Sequence, residues 1–368
     1  MKNAIQKDAV NIIQTSQNTL LLWATGVGKS KPAIDIINLY FTKNPKAKIL
    51  ILVAEIAHID NWKQEMRQWK CKNINKIDIA CYASMEKYKD IPYDFIVCDE
   101  CHHLSDNRLI ILSEMLEIKK FKFLGLSATV TREKFNALQY ILGNIEVLKV
   151  SLNTAIDKDL LPTPTVNIIT CELSDYTKYK KLEEQVNKWK SKYYENGGHF
   201  NELKWKTSGL ARKQYIGASK TNFLKALVDA FIKKNKRFIC FCASIEQAEQ
   251  LDKEHTLTSK TPAKKKKELL SNYKNEKINR LFAVSMLKEG MNFTNLKYGI
   301  ISQLDGKLLS FIQRMGRLLR AKNPEVFIFV LKGTYDEVYL ENVYNNINHR
   351  YINVLSFSEL LTNINNDL

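Results

Sequence analysis

Two kinds of hydrophobic pattern take turns along this chain. Short, mainly apolar runs, the mark of strands buried on both faces, fall at 19–23, 48–53, 76–81, 95–98 and 121–126, and again at 166–171, 237–242, 280–284, 298–301 and 326–330. Segments of helical periodicity separate them, first over 18–150 and then from 163 to 335. This alternation predicts an α/β chain of two tandem lobes, each a parallel sheet with flanking crossover helices. The first lobe spans 1–150, a linker 151–165 and the second lobe 166–335. The prolines of Leu161-Pro162-Thr163-Pro164 forbid helix there and predict extended chain.

One segment interrupts the second lobe. Tyr176, Tyr179, Leu182, Val186, Trp189 and Tyr193 recur at three- and four-residue steps, which predicts a helix with one apolar face inside an insert spanning 174–218; Gly197-Gly198 then breaks it. Lys178, Lys180, Lys181, Lys188, Lys190 and Lys192 flank that stripe, either as a solvated face or, with Lys264 to Lys267, as contacts to nucleic-acid phosphates. The polar, helix-prone stretch 336–368 predicts a C-terminal helical tail, a helix pair closing the second lobe.

Composition narrows the classes. A chain of 368 residues, 45% hydrophobic and 26% charged, suits two or three soluble domains. Its longest apolar runs fall far short of the roughly 20 residues needed to cross a bilayer, and no apolar signal core follows Met1, so a cytoplasmic protein is expected. Seven cysteines without a tight framework suit free thiols in a reducing compartment. Cys98 and Cys101, followed by His102 and His103, have the spacing of half a zinc site. The other close pair, Cys240 and Cys242, lies in a stretch that reads as a buried strand, so no zinc is expected. A formal charge of +17 points to a polyanionic partner. The richness in Lys, Asn and Ile is also what an AT-rich genome yields whatever the function.

The chemistry begins after the first strand. Ala24-Thr25-Gly26-Val27-Gly28-Lys29-Ser30 leads into a helix-forming segment, 33–40. Gly26 and Gly28 let successive backbone N–H groups turn toward an anion, and the helix start adds its positive dipole end. In such a loop Thr25, Gly26, Val27 and Gly28 cradle phosphates, Lys29 reaches the β- and γ-phosphates and Ser30 holds Mg²⁺. Pro32 suits the first helical turn. Trp23 stands where the generic phosphate-loop pattern has glycine. About 70 residues further on, 95–98 reads as a buried strand ending in Asp99 and Glu100. Carboxylates at the end of a parallel strand face the ligand crevice. Asp99 suits Mg²⁺, through its water shell, and Glu100 suits the orientation and deprotonation of an attacking water.

With the loop, Asp99-Glu100-Cys101-His102 as motif II and Ser127-Ala128-Thr129 as motif III, the chain resembles the DExH-box branch of superfamily 2 helicases and translocases. In the second lobe, Gln313-Arg314-Met315-Gly316-Arg317-Leu318-Leu319-Arg320 matches motif VI and 286–292 looks like motif V, with Asn292 where the family has aspartate. Gln6 matches the family's adenine-reading glutamine. The stretch 48–65, with Trp62 and Glu65, looks like motif Ia, with Glu55 where a proline is usual. The group that contains type III restriction subunits, XPB-type helicases and phage recombination helicases is the most similar.

The resemblance implies two RecA-like lobes, with the helical insert in the second, that hydrolyse ATP with Mg²⁺ in the cleft between them. It implies nucleotide contacts from Gln6, Gly290 and Asn292, and arginine fingers from Arg317 and Arg320, which share one helix face. It also implies coupling through His102, Gln313, Ser127 and Thr129, with His102 meeting Gln313. The expected partner is DNA, single-stranded, duplex or branched. An RNA helicase is the alternative, and a nucleotide-gated nucleic-acid-binding module with little turnover is the third reading.

Overall fold

The structure, a computed structural model, describes residues 2–284, 296–304, 308–319 and 321–366. The chain divides into two compact units, one of Met1–Leu161 with Met315–Arg317, the other of Pro162–Arg314 with Leu318–Leu368.

The first unit holds a six-stranded sheet of β1 (Asn18–Trp23), β2 (Ile49–Val53), β3 (Ile77–Cys81), β4 (Phe95–Asp99), β5 (Lys122–Ser127) and β6 (Glu146–Val150), in the order β3-β2-β4-β5-β1-β6. All its pairings are parallel. Parallel sheets are covered on both faces, and accordingly every residue of β2 and β5 is buried. Gly125 in β5 meets a packing demand: a Cβ there would lie 2.3 Å from Leu20 Cδ2 and 3.2 Å from Cys101 Sγ. β6 is absent from the apolar runs of the sequence because it is a largely exposed edge strand, and only Val150 is buried. The expected linker contains a short helix, Leu152–Asp157, with Leu152, Ala155 and Ile156 buried and Ser151 as its N-cap.

The second unit holds a seven-stranded parallel sheet: β7 (Thr165–Cys171), β8 (Phe238–Phe241), β9 (Thr256–Leu257), β10 (Arg280–Ala283), β11 (Tyr298–Ile301), β12 (Glu325–Leu331) and β13 (Ile352–Ser356), in the order β13-β7-β12-β11-β8-β10-β9. The insert is a pair of 21-residue helices, Tyr176–Asn196 and His199–Ser219, separated at Gly197 and Gly198, both at positive φ. Tyr179 and Val186 of the predicted stripe are buried, whereas the six flanking lysines are exposed. The C-terminal stretch departs from the expected all-helical tail. Short helices at Asp336–Tyr339 and Glu341–Tyr344 lead to β13, which pairs with β7, before the last helix, Phe357–Asn366. β13 carries exposed Asn353 and Val354, and its mixed polarity concealed it among helix-prone neighbours.

Candidate active site

The carboxyl ends of β1, β4 and β5 gather the predicted first-lobe residues. β5 pairs with both neighbours, so Leu22 of β1 faces Ser127 and Asp99 of β4 faces Leu126. The phosphate loop leaves β1 with Gly26 at φ 97° and Gly28 at φ 92°, values that favour glycine. Its entry is tied to β6 by Ala24 N–H donating to Val150 O at 2.9 Å, and the helix Ser30–Lys43 starts directly after it with Pro32 in the first turn.

The helix Lys2–Thr15 braces the loop. Gln6 is buried there, and its Nε2 donates to Gly28 O at 3.1 Å, while Lys2 Nζ donates to Gly26 O at 3.1 Å. A Cβ on Gly28 would lie 2.9 Å from that Gln6 nitrogen, so glycine is needed for space as well as for φ. The residue expected to read adenine therefore also holds the loop. Thr25 Oγ1 is buried with no hydrogen-bond partner among the described residues, a polar atom that an incoming ligand can satisfy.

Lys29 Nζ donates to Trp23 O at 3.2 Å and lies 3.9 Å from Glu100 Oε1. Glu100 takes a left-handed φ of 49° immediately after β4, a conformation uncommon outside glycine, asparagine and aspartate, and it aims adjacent carboxylates in different directions. His102 Nδ1 is 3.0 Å from Ser127 Oγ and 3.4 Å from Glu100 Oε2, and Ser127 Oγ donates to Thr129 O at 2.7 Å. Motifs II and III thus touch through His102 and Ser127.

Asp99 is held by groups that sequence reasoning did not connect to it. Trp62 Nε1, on the helix Ile56–Gln68, donates to Asp99 Oδ2 at 2.8 Å, and Tyr82 OH donates to Asp99 O at 2.9 Å. Desolvation first, and the charge of Glu100 next, push the Asp99 carboxyl up to about 6; the indole hydrogen bond, Lys29 and His58 pull it down. The Asp99 carboxylate and the Ser30 hydroxyl are hard oxygen donors of the kind that suits Mg²⁺.

Gln313 and Arg317 lie on the helix Leu308–Leu318. Gly290, Asn292 and Arg320 lie outside the described residues. Arg314, which the sequence did not single out from its neighbours, donates from Nη1 to Gln303 O at 2.8 Å.

Comparison with known proteins bears on this arrangement. The sequence profile of the type III restriction enzyme res subunit matches residues 2–132, and that of the helicase conserved C-terminal domain matches 219–322. The DNA 3'-5' translocase XPB2 of Sulfurisphaera tokodaii is 23% identical over 90% of this chain and 82% of its own length. The chain is a superfamily 2 helicase, related to the type III restriction and XPB-like group. Solved helicases share its fold. The Hef helicase domain of Pyrococcus furiosus aligns with a TM-score of 0.59 at 17% identity, covering 91% of this chain and 96% of that one. Dbp5 of S. cerevisiae, bound to RNA and ADP BeF3, aligns at 0.67 and 13% identity, covering 98% and 92%. Both sheets are of the tandem RecA-like kind, and helicases and translocases of these families are nucleic-acid-dependent ATPases that use ATP and Mg²⁺. Among the described residues no helix is long and apolar enough to cross a membrane.

Proposed function

We propose that this superfamily 2 ATPase is a DNA helicase or translocase, coupling ATP hydrolysis to movement on or remodelling of DNA. The observation that carries the ATPase chemistry is the cluster of Lys29, Asp99, Glu100, His102 and Ser127 on three adjacent strand ends. DNA as the track is supported by the similarity to the Sulfurisphaera DNA 3'-5' translocase.

In this reading Thr25 to Gly28 supply the phosphate cradle and Lys29 leaves Glu100 for the β- and γ-phosphates. Ser30 and Asp99 hold Mg²⁺, Asp99 partly through water. Mg²⁺ bound there offsets charge on the phosphate chain. Glu100 orients and deprotonates the water, with His102 beside its carboxylate. Gln6 reports nucleotide to the loop it holds, Gly290 and Asn292 add nucleotide contacts, and Arg317 and Arg320 stabilise charge on the transferring phosphoryl group. His102, Ser127, Thr129 and Gln313 couple turnover to the track. In the same reading the cysteines are core thiols rather than zinc ligands: Cys98 and Cys101 pack in the apolar core of the first unit, and Cys240 and Cys242 in that of the second. All seven are free thiols, which suits the cytoplasm.

The test is steady-state ATPase with no nucleic acid, single-stranded DNA, duplex DNA, forked DNA and RNA. Stimulation by one of the DNA forms above that by RNA is expected. Greater stimulation by RNA transfers the protein to the RNA helicases, and turnover indifferent to every nucleic acid refutes the motor.

A further inference from the structure

The second unit buries a full ion pair that the chemistry above does not use. Lys220, between the second insert helix and the helix Thr221–Lys233, is completely buried, and its Nζ lies 2.5 Å from Asp336 Oδ2. The same ammonium donates to Ser302 O at 2.9 Å, Phe329 O at 2.9 Å and Gln303 Oε1 at 3.1 Å. Asp336, also buried, accepts from Gln303 Nε2 at 2.7 Å and Leu331 N–H at 3.1 Å. A buried ion pair adds little net stability over an apolar pair of similar volume, so its retention is better explained by the geometry it imposes.

That geometry converges on Gln303. Its amide oxygen accepts a hydrogen bond from Lys220 and its amide nitrogen donates one to Asp336, so the side chain is held at both ends. Gln303 follows β11 by two residues, and the neighbouring Ser302 is fixed through Oγ donating to Gln247 Oε1 at 2.7 Å. The backbone carbonyl of the immobilised Gln303 is the one that accepts from Arg314, whose guanidinium also sits 5.7 Å from the Phe241 ring. Arg314 lies one helical turn before Arg317 on Leu308–Leu318.

The other end of the network reaches the insert. Tyr335, next to Asp336, donates its N–H to Tyr179 OH at 2.9 Å and lies beneath the Arg212 guanidinium at 3.8 Å. Arg212 in turn donates to Glu183 at 2.8 Å, joining the two insert helices at their base.

We infer that Lys220, Gln303 and Asp336 form a clamp of positioning residues that sets the register of the arginine helix and anchors it, through Tyr335, to the base of the helical insert. The inference rests on the proposed role of Arg317 in phosphoryl transfer. The clamp touches no substrate; it acts through Gln303 O on Arg314 and so on the turn that carries Arg317. Its loss therefore falls on turnover, while nucleotide affinity, determined by the phosphate loop, stays.

Two variants separate positioning from mere stability. Gln303→Met keeps volume and leaves the ion pair but removes both amide bonds; the double variant Lys220→Met/Asp336→Leu replaces the pair with apolar groups and leaves no buried charge. Nucleic-acid-stimulated kcat, KM for ATP, nucleotide Kd and Tm are measured for each. We expect kcat to fall about tenfold or more in both, with KM and Kd within about threefold and Tm near that of the parent. Parental kcat in Gln303→Met, or kcat that returns to the parental value together with Tm in the double variant, overturns the clamp. Should the double variant not fold, Gln303→Met decides alone on the same readings. Arg317→Ala, run beside them, keeps the two ideas apart: a parental rate there sinks the arginine's role, whereas a dead Arg317→Ala with a fully active Gln303→Met sinks only the clamp.

Discussion

Replacing Trp62 by phenylalanine isolates one hydrogen bond in the proposed metal site. The ring stays to fill a position only 3% exposed, while the indole N–H that donates to Asp99 Oδ2 at 2.8 Å is removed. Hydrogen bonds to charged groups contribute about 1.5 to 3 kcal/mol. Asp99 is only half-buried, so water can replace part of the loss and the lower end applies, about 1.5 kcal/mol, or roughly one pKa unit. The sign follows from the protonation states. The indole stabilises the ionised carboxylate and pulls its pKa down from a value already raised to about 6, so its removal raises that pKa further. Protons then compete with Mg²⁺ for Asp99 over a higher pH range. The Mg²⁺ concentration giving half-maximal nucleotide binding should rise about threefold near pH 6.5, the ratio to the parent should shrink to about one by about pH 8.5, and kcat at saturating Mg²⁺ should lie within a few-fold of parental. Titration of Mg²⁺ against nucleotide binding and turnover at the two pH values checks this. A parental Mg²⁺ dependence at pH 6.5 would falsify the assignment of Trp62 as the support of a metal carboxylate, and an equal shift at both pH values would mean that the indole orients Asp99 without tuning its basicity.

Lys29→Ala should weaken ATP binding and turnover together, whereas Glu100→Gln should retain Mg-ATP and stop hydrolysis; equilibrium binding beside a turnover assay distinguishes them, and retained turnover in the glutamine variant removes Glu100 from its role. Arg317→Ala or Arg320→Ala should lower DNA-stimulated kcat by about 10³-fold or more with nucleotide affinity within about tenfold, and lysine should rescue poorly because an ammonium lacks the planar fork. Metal analysis after dialysis should find no stoichiometric zinc, and one zinc per chain would overturn the reading of Cys98, Cys101, Cys240 and Cys242 as buried thiols. Reversing the charge of Lys188, Lys190 and Lys192 should flatten the salt dependence of DNA binding if the exposed insert face meets phosphates; an unchanged slope assigns those lysines to solvent.

Much of the fold was legible because parallel strands buried on both faces must be apolar throughout, as Ile49–Val53 and Phe238–Phe241 are. β6 and β13 escaped for the converse reason: each lies at a sheet edge, is partly exposed and of mixed polarity, and leaves a weaker trace. The phosphate loop and Asp99-Glu100 were legible because their chemistry is local in sequence. What supports them is not. Trp62 reaches Asp99 across 37 residues, and Gln6 reaches Gly28 across 22. The clamp is more distant still, since Lys220 meets Phe329 across 109 residues, and a single lysine in an amphipathic stretch carries no mark of burial. Residue type announces a reactive group; only the sheet order tells which groups will hold it.

That order also explains why the two units treat buried charge differently. In both, polar groups cluster at the carboxyl ends of strands, where the chain leaves the sheet and backbone N–H groups and side chains can converge. At the ends of β1 and β4 the first unit assembles two carboxylates, Asp99 and Glu100, around one ammonium, Lys29, which sits 3.9 Å from Glu100 and is needed by any phosphate that enters. Burial, and then the neighbouring charge of Glu100, holds the Asp99 carboxyl high. At the ends of β11 and β12 the second unit assembles Lys220 and Asp336 in equal number at 2.5 Å, with Gln303 bonded to both. That pair is wrapped by protein groups, and its contribution is rigidity. The first cluster instead adjoins the glycines of the phosphate loop, where backbone N–H groups and Lys29 suit a polyanion, and this difference makes the first cluster a binding site and the second a support.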